Sequence, residues 1–151
     1  MANDAQLEVY RALRTSQDKY AYFLLAAAGA SIAFAVTQTR GHHISWFQVP
    51  LGLAVLCWGL SFFVGCRNIA YVNSTLYANS ELIRIQNGEH PDVGRDPQRQ
   101  HAASAGVRAA IESNSNVANS LSKRQFYFLI AGAALYICWH VTEMCVQWHA
   151  A

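Results

Sequence analysis

The run LYICWHVTEMCVQW (135–148) puts Tyr136, His140, Glu143 and Gln147 at i, i+4, i+7 and i+11, one stripe of a helix. The surrounding residues are apolar, and an ionisable side chain within such a run marks a functional position by default, because hydrocarbon penalises charge. An imidazole three residues from a carboxylate suits a ring of polar groups at a pore mouth. It equally suits a buried ion pair with a base elsewhere in the chain. His43, His140 and His149 could also hold a haem or a metal, a chemistry that no ligand spacing in the sequence supports.

A second set of groups lies between residues 84 and 108. Arg84, His90, Arg95, Arg99, His101 and Arg108 alternate with the acids Glu81, Glu89, Asp92, Asp96 and Glu112. Mixed charge on a polar segment is the usual dress of a solvated loop. Copied around a symmetry axis, the same residues would bring several guanidinium groups onto one anion, and arginine binds phosphate bidentately. Downstream, Ser104, Arg108, Glu112, Ser115, Asn119 and Ser122 share a stripe, with Asn114 and Asn116 beside it. Serine and asparagine are poor helix formers, and solvated helix faces usually carry Lys and Glu in i,i+4 pairs. The stripe is either such a solvated face or the lining of a water-filled vestibule, for which neutral polar groups are suited. No nucleophile, base and orienting acid stand at a recognisable spacing, so the sequence predicts no enzyme and no cofactor. Cys57, Cys66, Cys138 and Cys145 form no C-x-x-C pair and read as small apolar fillers.

The elements that position these groups follow from composition. The 151 residues are 53% hydrophobic and 13% charged, against roughly 25% charged in a soluble domain. Charge is nearly absent from 20–38, 44–66 and 126–146, each about the length that a helix needs to cross ~30 Å of hydrocarbon. FLLAAAGASIAFAV (23–36) and LGLAVLCWGLSFFVG (51–65) lack the polar stripe that a buried soluble helix keeps. Tyr20, Tyr22, Phe23, Trp46, Phe47, Phe62, Phe63, Phe126, Tyr127, Phe128 and Trp148 cluster where membrane interfaces should fall.

The predicted fold is an all-α membrane protein with three transmembrane helices. Residues 1–19 read as an amphipathic N-terminal helix capped by Asn3 or Asp4, with Leu7, Tyr10 and Leu13 at helical spacing, and not as a cleaved signal peptide. Residues 20–66 hold two spans and a short outer loop; 67–125 form a helical hairpin; 126–151 hold the third span and a short tail. The leader carries three Lys or Arg and the middle segment seven, against Arg40 alone in the loop and none after Val146. The positive-inside rule therefore puts the N-terminus and the hairpin in the cytoplasm of a bacterial inner-membrane protein, and the C-terminus in the periplasm.

In the hairpin, Ile69, Val72, Leu76 and Ile83 step as a heptad seam with Asn79 at the missing position. NGEHPDVGRDPQR (87–99) stops the helix. Val107, Ile111, Ala118 and Leu121 resume it and run without a breaker into the third span. Small residues crowd the first span (Ala26 to Ala33) and the third (Ala131 to Ala134), which suits helices that approach closely in lipid. Three short spans offer more such surface than one copy can use, so a homo-oligomer is expected.

KYAYFLLAAAGASIAFAVTQTRG, LGLAVLCWGLSFFVGCRNI and YVNSTLYANSELIRIQNGEHP together resemble a group of small bacterial inner-membrane proteins. In layout the chain is also similar to the small membrane effectors of antiphage systems such as Hailong. That resemblance implies an oligomeric ion channel in membrane lipid whose opening depolarises the cell. It further implies gating by a nucleotide or short single-stranded nucleic acid that a partner nucleotidyltransferase makes. A haem-binding redox protein and a membrane-anchored interaction scaffold are the other readings.

On this topology Glu143 is the only acid expected on the outer side and Arg40 the only strong base there, and such residues usually pair. If they do, each single alanine substitution lowers the thermal stability of the detergent-solubilised protein, and Arg40→Glu with Glu143→Arg recovers part of the loss. Additive losses without recovery would reject the pairing.

Overall fold

The computed structural model describes residues 2–39 and 46–150, without the side chains of 2–7, 10, 147, 149 and 150. Arg40, His42 and His43 lie outside the described residues, as does the side chain of His149, so their expected roles are not tested by the geometry. Among the described residues the architecture is all-helical: α1 (Ala2–Gln38), a short 3-10 turn (Trp46–Gln48), α2 (Val49–Gln86) and α3 (Pro97–Ala150). Each long helix contains a stretch apolar and long enough to cross a membrane, within Arg11–Gln38, Trp46–Gln86 and Pro97–Val146.

All three helices outrun the bilayer. The 37 residues of α1 rise about 55 Å and the 54 of α3 about 81 Å, against ~30 Å of hydrocarbon. The compositional boundaries at residues 19, 66 and 125 therefore fall inside unbroken helices. No proline or glycine stands at any of those three points, so a change of solvent around the helix need not interrupt its hydrogen-bond ladder.

The chain divides into two compact units, Met1–Gly65 with Lys123–Ala151 and Cys66–Ser122. In the first, the buried positions are Leu24, Ala28 and Ala35 on α1; Leu51, Ala54, Trp58 and Ser61 on α2; and Gln125 and Trp139 on α3. With Gly65 and Gly132, which are also buried, they recur at three, four or seven residues, as one face of a helix must. Many are small or polar, while Phe23, Leu56, Phe63, Ile137 and Val141 are exposed. This inversion suits a membrane, where lipid covers apolar side chains and close backbone approach holds the helices.

Trp58 is, with Trp139, one of the two largest side chains in that core. It lies against Gly132, where even a Cβ would fall 2.6 Å from the indole Cδ1, and its Nε1–H donates to the Leu129 carbonyl at 3.3 Å. One helical turn away, the Ser61 hydroxyl donates to the Gln125 carbonyl at 2.8 Å. The Gln125 amide fills the notch left by Gly65, where a Cβ would overlap it and Leu25. Around Trp58, the Tyr136 ring meets Phe34 and Trp58 at 5.9 Å and Trp139 at 5.5 Å between centroids. One tyrosine thus touches all three helices.

The second unit differs from the expected seam. Along α2 the buried and half-buried positions include Asn68, Tyr71, Thr75, Ala78, Leu82 and Ile85. Leu76 and Ile83 are exposed, and so is Asn79. The internal face is rotated by one residue from the apolar pattern because Thr75 and Ala78 are small enough to let a second helix close in, whereas Leu76 would hold it off. On α3 the expected positions are internal: Ala118 is buried, and Val107, Ile111 and Leu121 are half-buried.

Gly132→Leu should therefore displace Trp58 and cost about 1–3 kcal/mol, the range for overpacking a well-filled interior. Gly29→Leu, whose site has nothing within 4 Å, should stay within about 0.5 kcal/mol of the parent. Denaturation of the detergent-solubilised protein, followed by far-ultraviolet circular dichroism, measures both; equal effects would show that the Trp58 notch is not a packing constraint.

Candidate functional site

The loop between α2 and α3, residues 87–96, holds two of the six basic residues singled out in the sequence, His90 and Arg95, with Arg84 and Arg99 in the flanking helical turns, and its path is fixed by backbone chemistry. Gly88 adopts φ +72°. Its N–H bonds to the Ile85 carbonyl at 3.0 Å, and the Glu89 N–H bonds to the Arg84 carbonyl at 2.9 Å. This is the Schellman pattern of a helix terminus, in which a left-handed glycine lets the chain turn back on its last carbonyls. Gly94 takes the second left-handed position, at φ +63°. Asp96 then caps α3, its Oδ1 accepting from Gln98 N–H at 2.9 Å. Pro97 follows at the first helical position, where its missing N–H is no loss.

The basic groups on this frame fall into two classes. Arg84 contacts Glu81 at 3.1 Å and Arg99 faces Asp96 at 3.8 Å, exposed pairs worth only ~0.2–1 kcal/mol each. His90 accepts the Asp92 N–H on Nδ1 at 3.2 Å, which assigns the neutral ring's proton to Nε2, 3.6 Å from Glu81. Glu81 thus faces both Arg84 and His90 and ties the end of α2 to the loop. Among the described residues Arg95 and Arg108 have no ion-pair partner.

His101 and Arg108 come together in a groove of about 330 Å³. Gln86, Gln100 and Ser104 complete its polar lining and Pro97 and Ala105 its apolar wall. The Gln100 amide donates to the Gly94 carbonyl at 3.1 Å, so the loop and the groove share a residue. Of the six basic residues named from the sequence, the groove brings together His101 and Arg108. Arg84, His90, Arg95 and Arg99 are elsewhere on the unit, outside the groove lining. Gln86 and Gln100 went unremarked in the sequence, where a glutamine on a polar helix carries no signal.

The polar stripe of α3 is only partly outward. Arg108, Glu112 and Asn119 are exposed, whereas Ser115 and Ser122 are half-buried beside Ala118 and Leu121. Toward the other end of α3, His140 is exposed and its ring lies parallel to Tyr136, 5° between planes at 6.3 Å. Glu143 is half-buried. Cys66, Cys138 and Cys145 are exposed and Cys57 is half-buried, so three of the four are not core fillers. Among the described residues no three His, Cys, Asp or Glu side chains are grouped as a metal site would group them. The interior instead holds an orphan: Gln125 is fully buried, and neither its amide nitrogen nor its amide oxygen has a partner among the described residues.

Comparison with protein-family models, with curated proteins and with solved structures finds no match to the chain.

The loop's construction predicts its own weak points. Gly88→Ala forces a Cβ into the left-handed region, and Asp96→Ala removes the cap; each should cost about 1 kcal/mol. Amide exchange should quicken roughly fivefold across residues 84–100 in each variant, with the buried positions of α1 unchanged. Exchange that stays at the parent rate would mean that the loop is not held by these two devices.

Proposed function

We propose that the chain is a subunit of a homo-oligomeric ion channel in a bacterial membrane, gated through its charged helix–loop–helix unit by an anionic nucleotide-type ligand. The observation that carries the channel reading is His140. It is exposed on a helix otherwise apolar enough to span a membrane, and an imidazole facing lipid is costly. Water in a pathway, or a second copy, relieves that cost. Half-buried Glu143, one turn further along, adds a carboxylate of the kind that concentrates cations at a pore mouth.

Most of the apolar surface also awaits a cover. Of the most apolar 18-residue windows, 17%, 28% and 11% of residues are buried. Lipid covers much of such surface, and neighbouring subunits the rest. Asn119, with Ser115 and Ser122 beside it, supplies neutral polar groups along α3 where an aqueous vestibule would continue. The gating reading is supported by the groove that holds His101 and Arg108. Among the described residues its guanidinium is in no ion pair, its polar wall offers two amides and a hydroxyl, and its volume suits one nucleotide-sized group. As in the antiphage effectors that the chain resembles, opening would act by depolarising the membrane.

Purified protein reconstituted in liposomes should pass monovalent cations, and Glu143→Gln should shift the reversal potential toward zero selectivity while leaving the assembly's mass unchanged. Separately, His101→Ala with Arg108→Ala should weaken capture of short oligonucleotides by about 10–100-fold, the loss expected on removing charge-assisted hydrogen bonds. Parent binding should also fall steeply with salt. Liposomes that stay sealed both with and without short oligonucleotides would remove the channel reading; oligonucleotide binding that is absent, or indifferent to both the substitutions and salt, would remove the ligand.

A further inference from the structure

Within Cys66–Ser122, α2 carries two heptad seams and the protomer uses one. Asn68, Tyr71, Thr75, Ala78, Leu82 and Ile85 face inward. Ile69, Val72, Leu76, Asn79 and Ile83 form the second seam, stepping by three, four, three and four. Leu76 is 43% exposed and Ile83 52% exposed; Asn79 is exposed, and Ile69 and Val72 are half-buried. From the sequence alone this would be taken for the internal seam of a hairpin. The folded chain leaves it largely without a partner.

We infer that the second seam is a contact between copies of this chain, in which α2 of one protomer lies parallel to α2 of the next. Lipid does not reach it. From Val49, where α2 begins, Leu76 stands about 40 Å along the axis and Ile83 about 51 Å, beyond ~30 Å of hydrocarbon. Water is a poor cover as well, because Asn68 to Ser80 contains no charged residue, whereas a solvated helix face of that length ordinarily carries several.

Four features select a second copy rather than another protein. Copies inserted in one membrane share an orientation, so their α2 helices run parallel and in register. The three-four spacing is the one that interlocks with itself in parallel coiled coils. Asn79, at a d position, meets its own counterpart in that register, where each amide can donate to and accept from the other. Finally, the flanking Asn73 and Ser80 are neutral, so identical faces approach without like-charge repulsion. The inference rests on the homo-oligomeric reading above and assigns it a surface.

The test uses the full chain in native membranes with Leu76→benzoylphenylalanine. Illumination should give a species of twice the chain mass whose adduct maps to residues 69–83 of the second copy. In detergent, Leu76→Glu with Ile83→Glu should lower the oligomer mass measured by light scattering, at unchanged helix content. Tyr77→Glu, on the far side of α2, should leave the mass as in the parent. An adduct with lipid, with another protein or with a different face of the chain overturns the inference, as does a parent-like mass in the double variant. If the double variant loses helix, the photo-adduct decides alone. The two readings fail separately: a seam adduct in protein that passes no ions keeps the interface and removes the channel, and ion flux without a seam adduct does the reverse.

Discussion

Trp58 seated on Gly132 is the contact on which the unit built from the three apolar helix stretches depends. Lipid tails are as apolar as leucine, so no hydrophobic force presses one span on another, and association must come from close packing and from hydrogen bonds drawn out of water. The indole supplies both, since its ring fills a notch that only glycine leaves open and its N–H reaches a backbone carbonyl of α3. Because the ring is rigid, its position sets the separation of α2 and α3. That separation in turn determines that Ser61 can reach the Gln125 carbonyl, and that Gln125 can lie across Gly65. Tyr136, packed edge-on against Phe34 and tilted against Trp58 and Trp139, carries the same constraint to α1. It also fixes the plane against which His140 rests.

How legible this was depends on which physics each residue obeys. The three apolar runs and the aromatic clusters at their ends needed only length and solvent preference, and these survive in the fold as three helices long and apolar enough to span a membrane. The loop was equally plain, because Gly88, Gly94, Asp96 and Pro97 act through their own backbone conformations, without reference to anything distant. The helix phase in Cys66–Ser122 was not. Reading a seam from apolar residues assumes that the largest side chains go inside, and here Thr75 and Ala78 take the inner face while Leu76 and Ile83 do not. The aromatic cluster was missed for a related reason. Phe34, Trp58 and Tyr136 come from three different helices, and only Gly132 hinted that a large ring would be received there. Of the candidate site, the sequence offered six basic residues as one group; the groove keeps His101 and Arg108, while Arg84, His90 and Arg99 face the local acids Glu81 and Asp96 and Arg95 lies outside the lining without an ion pair among the described residues.

Gln125 shows the same tension between packing and polarity from the inside. Its backbone carbonyl is satisfied by Ser61, yet both atoms of its amide are buried without a partner. An unmet amide in a dry interior costs on the order of 1–3 kcal/mol, and an alanine or leucine there would avoid the penalty. An alanine would leave the Gly65 notch empty, and a branched leucine would meet the crowding that already excludes a Cβ at Gly65. A flat, unbranched side chain fills the space between Gly65 and Leu25, and glutamine supplies that shape at the expense of its polar atoms. The penalty also weakens this contact between α2 and α3. Any rearrangement that lets water reach the amide recovers what the closed arrangement forgoes. Packing at Trp58 opposes that opening and polarity at Gln125 favours it, and the two lie less than two helical turns apart on α2, at Trp58 and Gly65.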